Sequence, residues 1–444
     1  MYAFDGTQLS MLMNEALARA IKDQGSLTVC VLDVDHFKLI NNRLGHQGAD
    51  RLIDALALRL AQYVGGDSVV VRAGGDEFVL LTHDAADDAA LQMMLSVISE
   101  PFSLEGERVS ITASLGVSRY PDDHAEADGL LRHARQAMYR AKQNGRNTVS
   151  RFDPGQDRLV QQRQVKRRRF ARAIENGELI LHYQPQIDMA TAEVIGFEAL
   201  VRWKHPKEGL KAPDSFLPLT EGTQLETSLG EWVLRQALTQ LGCWQQQGLV
   251  LPVSVNISPS HLLNPDFVPR LEGLLAANPW ITTDRLKLEV VETAAMHDIK
   301  AALDTIDRCQ AMGIEVAIDD FGTGFSSLTY LRQLPVDMIK IDKSFVRDML
   351  TDPSDLAIVE SVIYMARRFD RALLAEGVET LEHADALLGR GCRLAQGYGI
   401  ARPMAPEAVV EWLQRWRERT DWQGLARQSR FMGEREAPSG ACSR

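Results

Sequence analysis

Two rhythms of apolar residues divide the chain. Up to about residue 150, short β-rich runs such as Val29-Cys30-Val31-Leu32 and Val69-Val70-Val71 alternate with stretches of helical period at Leu9–Ala20, Ala49–Gln62 and Asp128–Gln143. That alternation predicts a layered α/β unit. From Leu179 the rhythm becomes a repeat of short apolar strand, polar residue, loop and amphipathic helix. Strands are predicted at Val194–Phe197, Val253–Val255, Leu286–Leu288, Val316–Ile318, Met338–Ile339, Leu373–Ala375 and Arg393–Ala395. The spacers carry helical period, as in Ile299–Met312 and Leu356–Phe369. Repeated βα units over roughly 250 residues predict a barrel of the triosephosphate-isomerase type. Between the two rhythms lies a basic stretch from Asp157 to Arg172, with Arg167, Arg168 and Arg169 consecutive, which predicts a solvated linker helix. The expected division is therefore 1–153, a linker helix over 154–172, a barrel over 173–428 and a polar, disordered tail over 429–444.

The residues that end the predicted strands add chemistry to this pattern. They are Glu198, Asn256, Glu289, Asp319 with Asp320, Lys340, Glu376 and Gln396. In such barrels the C-terminal strand ends share one face, where catalytic groups gather. Carboxylates, two amides, one lysine and no His or Cys select a hard cation, Mg²⁺ or Mn²⁺, rather than zinc. The adjacent Asp319 and Asp320 repel each other unless a positive charge sits beside them.

Bulk properties narrow the setting. A chain of 444 residues is expected to hold two domains. Its net charge of −11 argues against a general nucleic-acid or membrane-surface binder, while leaving room for a small anion held by local cations. Five scattered cysteines without metal-ligand spacing read as thiols of a reducing compartment. No apolar run reaches the roughly 20 residues of a membrane span, and no signal segment is evident. The expectation is a cytoplasmic protein, alone or as the cytoplasmic part of a longer sensor.

Motifs in the second half carry a resemblance. Glu198-Ala199-Leu200-Val201-Arg202-Trp203 resembles the name motif of EAL-domain cyclic di-GMP phosphodiesterases. In order around it stand Tyr183-Gln184-Pro185, Asn256-Ile257-Ser258, Glu289 with Glu292, Asp319-Asp320-Phe321-Gly322, Lys340-Ile341-Asp342, Ala375-Glu376-Gly377-Val378-Glu379 and Gln396-Gly397-Tyr398. The resemblance covers roughly residues 170 to 420. It implies that Glu198, Asn256, Glu289 and Asp319 bind one metal, and that Asp319 bridges to a second held also by Asp320. A water between the ions attacks phosphorus in line, with Lys340 orienting it and Glu376 as general base. Gln184, Leu200, Arg202 and Gln396 would contact cyclic di-GMP. Glu292 would anchor the loop that follows Asp320, which in the family couples the site to a homodimer contact. The implied product is linear pGpG. Val291, Gln224 and His383 depart from common family residues, and none of the three removes a ligand.

The first half resembles the GGDEF domain of diguanylate cyclases over residues 1 to 150. The resemblance rests on Arg72-Ala73-Gly74-Gly75-Asp76-Glu77-Phe78, Asp33-Val34-Asp35-His36-Phe37-Lys38-Leu39-Ile40-Asn41, Gly45-His46, Asp50, and Lys142 with Arg146. It implies that Asp33, Asp76 and Glu77 hold Mg²⁺ on GTP, and that Asn41 and Asp50 read guanine. Phe37, Lys38, Lys142 and Arg146 would contact phosphates, with Gly74, Gly75 and His46 completing the pocket. Departures also occur here. The family's opening motif is largely lost over Tyr2–Ser10, which would leave Arg72 without its usual acidic partner. Asn42 and Ala49 replace the usual aspartate and glycine, and the product-inhibition motif would fall on Gly65 and Ser68 and is absent. Three functions remain open: a phosphodiesterase with a regulatory GTP-binding unit, a bifunctional cyclase and phosphodiesterase, or a non-catalytic cyclic di-GMP receptor.

Overall fold

The computed structural model describes residues 6–64, 68–83, 87–104, 106–123, 126–292, 298–322 and 332–427. Two compact units divide the chain, Met1–Arg163 and Gln164–Arg444, and helix Pro154–Glu175 carries the division. Most of the Asp319-Asp320 loop and the polar tail lie outside the described residues, as do the expectations placed on them.

The first unit contains strands β1 (Leu27–Val34), β2 (Val69–Gly74), β3 (Glu77–Thr82), β4 (Phe102–Leu104), β5 (Glu107–Val109), β6 (Ala113–Tyr120) and β7 (Val149–Arg151). Five of them form a sheet in the order β2-β3-β1-β6-β7, antiparallel except for the β6–β7 pair. β1 is apolar along most of its length because both faces are covered. Val29 and Val31 pack with Leu130 and Met138 of helix Ala127–Gln143. Cys30 and Leu32 pack on the other side with Leu56 of helix Phe37–Val64 and Leu95 of helix Asp88–Ser99. The helix predicted over Ala49–Gln62 is thus the latter part of a longer element, interrupted at Gly45 with φ of 70°.

The second unit holds β8 (Leu179–Asp188), β9 (Glu193–His205), β10 (Gly209–Lys211), β11 (Val253–Ile257), β12 (Leu286–Val291), β13 (Glu315–Phe321), β14 (Met338–Ile341), β15 (Ala372–Ala375) and β16 (Leu394–Gln396). From β9 and β11 through β16 neighbouring strands run parallel, and β8 closes an eight-stranded barrel by pairing antiparallel with both β16 and β9. The sequence pattern predicted seven of these strands. It missed β8, where Pro185 and polar residues on the inward face break the apolar signal. This first strand runs against the others, so it enters the barrel as a hairpin arm rather than as a βα unit.

Period-two alternation on that hairpin places the site. Tyr183, Phe197, Ala199, Val201 and Trp203 are buried in the core, where Trp244 of helix Gln224–Gln246 meets both Tyr183 and Phe197. Gln184, Gln186, Glu198, Leu200 and Arg202 therefore share the opposite, inward face.

Candidate active site

Inside the barrel, carboxylates converge on one ammonium. Lys340 of β14 is fully buried, and its Nζ lies 2.6 Å from Glu289 on β12, 2.9 Å from Asp319 on β13, 2.6 Å from Glu376 after β15 and 3.8 Å from Glu198 on β9. Burial alone would lower the lysine pKa. The four surrounding carboxylates outweigh it and hold the ammonium well above its ordinary value. One positive charge cannot neutralise four negative ones, and the imbalance appears in the acids. Burial pushes Glu289 up to about 8, and it pushes Glu376 well above the carboxylate range against the pull of Lys340.

Amides tie the ring together. Asn256 of β11 donates to Glu198 Oε1 at 2.6 Å, while Gln396 of β16 donates to the other oxygen of Glu198 and to Gln184 Oε1 at 3.0 Å. Gln184 donates onward to the Ala401 carbonyl at 3.0 Å. Gln186 was not among the expected site residues. It is 4% exposed and donates to Gln396 Oε1 at 3.0 Å and to Glu289 Oε1 at 3.3 Å. The signal for it was available once β8 is recognised as a strand, because Gln186 lies two residues beyond Gln184 on the same face.

The adjacent aspartates need a special backbone to act together. Consecutive strand residues point to opposite faces. Here the β13–β14 register breaks between Ile318 and Phe321, and Asp320 takes φ of 53°. A left-handed aspartate costs on the order of 1 kcal/mol. The distortion lets carboxylate oxygens of Asp319, Asp320 and Glu376 lie within 4.8 Å of one another, as do those of Glu198, Glu289 and Asp319. Burial and the Asp319 charge push Asp320 up to about 7, and it shares a side-chain hydrogen bond with Asp342. Burial would raise Asp342 too, but bonds from the Ser344 hydroxyl and N–H lower it. Asp342, quoted in its motif without a role, is therefore the partner of Asp320.

Other predicted residues fall around this ring. Leu200 and Arg202 are partly buried on the inward face of β9, and Arg202 donates to the Val201 carbonyl at 2.8 Å. Glu292 accepts a long 3.5 Å bond from the Gly322 N–H at the loop's start. Of the departures, His383 is buried and spans Thr380 Oγ1 at 2.9 Å and the Arg347 carbonyl at 3.0 Å.

The first unit builds its own cluster around the β2–β3 hairpin. Gly75 in the turn has φ of 52°, in the left-handed region that favours glycine. Asp33 of β1 lies opposite Glu77 of β3. Asp33 meets Lys142 Nζ at 2.5 Å, and burial raises its pKa despite that cation. Glu77 accepts both Nε and Nη2 of Arg135 at 2.9 and 2.8 Å, a partner absent from the sequence expectation. Phe37 and Lys38 open helix Phe37–Val64, whose first N–H groups suit an anion. Asn41 and His46 hydrogen-bond each other at 3.3 Å. Arg72 lies 3.7 Å from exposed Asp50 and also donates to the Gly75 carbonyl at 2.9 Å. Asp50 belongs to helix Phe37–Val64, so this carboxylate comes from outside the opening motif. Arg146 is exposed, with φ of 63°.

The second unit is thus a barrel with a buried ring of oxygen donors around one lysine, and the first is a sheet unit with a glycine hairpin near acidic residues. Comparison with known proteins is more specific. The EAL domain family matches residues 167–403, and the diguanylate cyclase GGDEF domain family matches residues 7–148. The chain belongs to the EAL domain family, in tandem with a GGDEF domain. A signalling protein of Caulobacter vibrioides with no assigned function is 39% identical over 91% of this chain and 50% of its own length. The bifunctional diguanylate cyclase/cyclic di-GMP phosphodiesterase MucR of Pseudomonas aeruginosa is 36% identical over 90% of this chain and 58% of its own. Among solved structures, the PaMucR phosphodiesterase in complex with c-di-GMP is 38% identical, covers 54% of this chain and 97% of that one, and superposes with a TM-score of 0.52. This chain thus spans little more than half the length of these two full-length relatives. Among the described residues no helix is long and apolar enough to cross a membrane.

Proposed function

We infer that the barrel hydrolyses cyclic di-GMP to linear pGpG and that the first unit binds GTP and regulates this activity. The observation that carries the reading is the convergence of Glu198, Glu289, Asp319 and Glu376 on Lys340, in a barrel of the EAL domain family. The named activity of MucR supports it.

The donor set fits hard divalent cations. Every candidate ligand offers oxygen, and the carboxylates outnumber the one buried ammonium. Glu198, Asn256, Glu289 and Asp319 would hold one Mg²⁺ or Mn²⁺, and Asp319 with Asp320 a second. Such ions supply charge neutralisation and an acidified water to phosphodiester cleavage. Lys340 keeps the ring's carboxylates aligned and offers a donor to the attacking water. Glu376 takes up a proton as the bond to phosphorus forms. Arg202 and Gln184 position the phosphodiester, with Leu200 and Gln396 shaping the pocket, and Glu292 holds the start of the Gly322 loop. In the first unit, Asp33, Asp76 and Glu77 would hold Mg²⁺ on GTP, with Lys142 and Arg146 on its phosphates. A cytoplasmic homodimer formed through the barrel is the assembly this reading implies.

Purified protein with Mg²⁺ should convert cyclic di-GMP to pGpG, followed by chromatography, and a chelator should stop it. Asp319→Ala should lower turnover at least 10³-fold, on the order of 4 kcal/mol of transition-state stabilisation. Hydrolysis persisting in that variant would sink the metal assignment. A second reading, a bifunctional enzyme, draws support from the name of MucR and from the Asp33–Lys142 pair in place under the hairpin. Incubating Glu376→Ala protein with GTP alone separates the two. Accumulated cyclic di-GMP would establish cyclase activity, and its absence would leave the first unit as a regulator.

A further inference from the structure

One buried carboxylate in the first unit has no part in the proposed chemistry. Asp35 follows the end of β1 and is 3% exposed. It accepts from Thr112 Oγ1 at 2.8 Å, from Ser114 Oγ at 2.7 Å and from the Asn147 N–H at 3.0 Å. Its own N–H donates to the Thr112 carbonyl at 2.9 Å. The bonds to Thr112 and Ser114 fasten Asp35 to the start of β6. The bond to Asn147 reaches the turn after helix Ala127–Gln143.

That turn is unusual. Gly145, Arg146 and Asn147 have φ of 102°, 63° and 44°, three left-handed residues in succession. Gly145 and Asn147 are residue types that tolerate this region, whereas Arg146 is held there against its preference. The Arg146 N–H donates to the Ala141 carbonyl at 3.1 Å, which continues the turn from the last turn of the helix. Lys142 in that last turn meets Asp33 at 2.5 Å. Asp35 thus bonds the backbone of the segment that presents both Lys142 and Arg146, and it lies two residues along the chain from Asp33.

We propose that Asp35 is a positioning residue for triphosphate recognition. By accepting the Asn147 N–H it fixes the left-handed turn that carries Arg146 and anchors the helix end that carries Lys142, so that both face the phosphates beside Asp33. The proposal rests on the GTP-binding reading of this unit and adds a residue and a division of labour to it: the turn serves the phosphates and leaves the base alone.

The test compares GTP with guanosine by calorimetric titration of the full chain in Mg²⁺. Asp35→Asn replaces an acceptor by an amide that faces donors. Losing one charge-assisted bond should weaken GTP by about tenfold or more while leaving guanosine within about twofold. Asn147→Gly keeps the carboxylate but frees the turn. It folds with a residue suited to its φ and should weaken GTP alone, by roughly threefold. Equal losses for GTP and guanosine in Asp35→Asn would mean a purely structural role and overturn the proposal. Unchanged GTP affinity in both variants would also overturn it, with the GTP reading intact. Wild-type protein that binds neither ligand would remove that reading, and the proposal with it.

Discussion

At the scale of single residues, Lys340 is the position on which the barrel site depends. Its ammonium is fully buried and stands against four carboxylates. Lys340→Met removes the charge at similar volume and leaves four acids without a counter-ion. In metal-free protein this should cost about 3–5 kcal/mol, the usual penalty for breaking a buried ion pair from one side. Chemical denaturation in a chelator reads the loss. Adding Mg²⁺ should restore part of the stability without restoring turnover, and full recovery of activity would show that Lys340 only balances charge. A second residue offers a pH signature outside the site. His261 is 2% exposed and edge-on to Phe267 at 4.8 Å, and burial lowers its pKa to about 4. The unfolded imidazole binds its proton near 6.5, so between those values acid favours the unfolded state. Its neutral-ring stability is complete above pH 6.5 and falls as pH drops, by about 2 kcal/mol at pH 5. Urea midpoints at pH 7 and 5 should show the drop in wild type and a smaller one in His261→Phe. An equal drop in both would assign it elsewhere.

At the scale of elements, close backbone packing matters more than polarity. A Cβ on Gly397 would lie 2.2 Å from the Val378 carbonyl oxygen and 2.3 Å from its nitrogen. Both contacts are backbone, so neither can swing aside. Gly397→Ala should push the end of β16 off the Val378 crossing and disturb Gln396, which bonds Glu198, Gln184 and Gln186. The expected result is destabilisation of about 1–3 kcal/mol with a loss of turnover larger than any change in KM. Retained kcat would show that Gln396 tolerates the shift. The same elements explain what was legible in the sequence. The short apolar runs and the polar residues that end them exposed seven barrel strands, because most of those strands are followed by a stretch of helical period. They could not expose β8, whose polar face and proline hide a strand that pairs antiparallel on both sides. Nor could a linear pattern tell that Asp320 leaves the strand alternation through a left-handed bulge, or that Asp342 and Gln186 meet the ring. Those depend on contacts between residues far apart in sequence. In the first unit, the motifs indicated Asp33 and Lys142, but the partners Arg135 of Glu77 and Asp50 of Arg72 come from packing of neighbouring helices.

At the scale of the whole molecule, the chain consists of two units with separate cores and separate candidate ligands. Linkage turns this into an experiment. A ligand that binds only the folded form of one unit stabilises that unit by RT ln(1 + [L]/Kd), about 2.7 kcal/mol at a hundredfold excess over Kd. GTP with Mg²⁺ should therefore raise the unfolding temperature of the Met1–Arg163 unit in scanning calorimetry. If the first unit regulates the second, GTP must also change the rate at which cyclic di-GMP is hydrolysed, and by reciprocity a non-cleaved cyclic di-GMP analogue must change GTP affinity by the factor that GTP changes the analogue's affinity. Regulation predicts both responses together. A thermal shift with GTP, beside flat hydrolysis kinetics and unaltered analogue affinity, would mean that the first unit binds nucleotide without speaking to the barrel. In that case the Asp33 cluster and its Asp35-held turn would serve a reaction of their own, and the GTP-only incubation of Glu376→Ala protein would be expected to accumulate cyclic di-GMP.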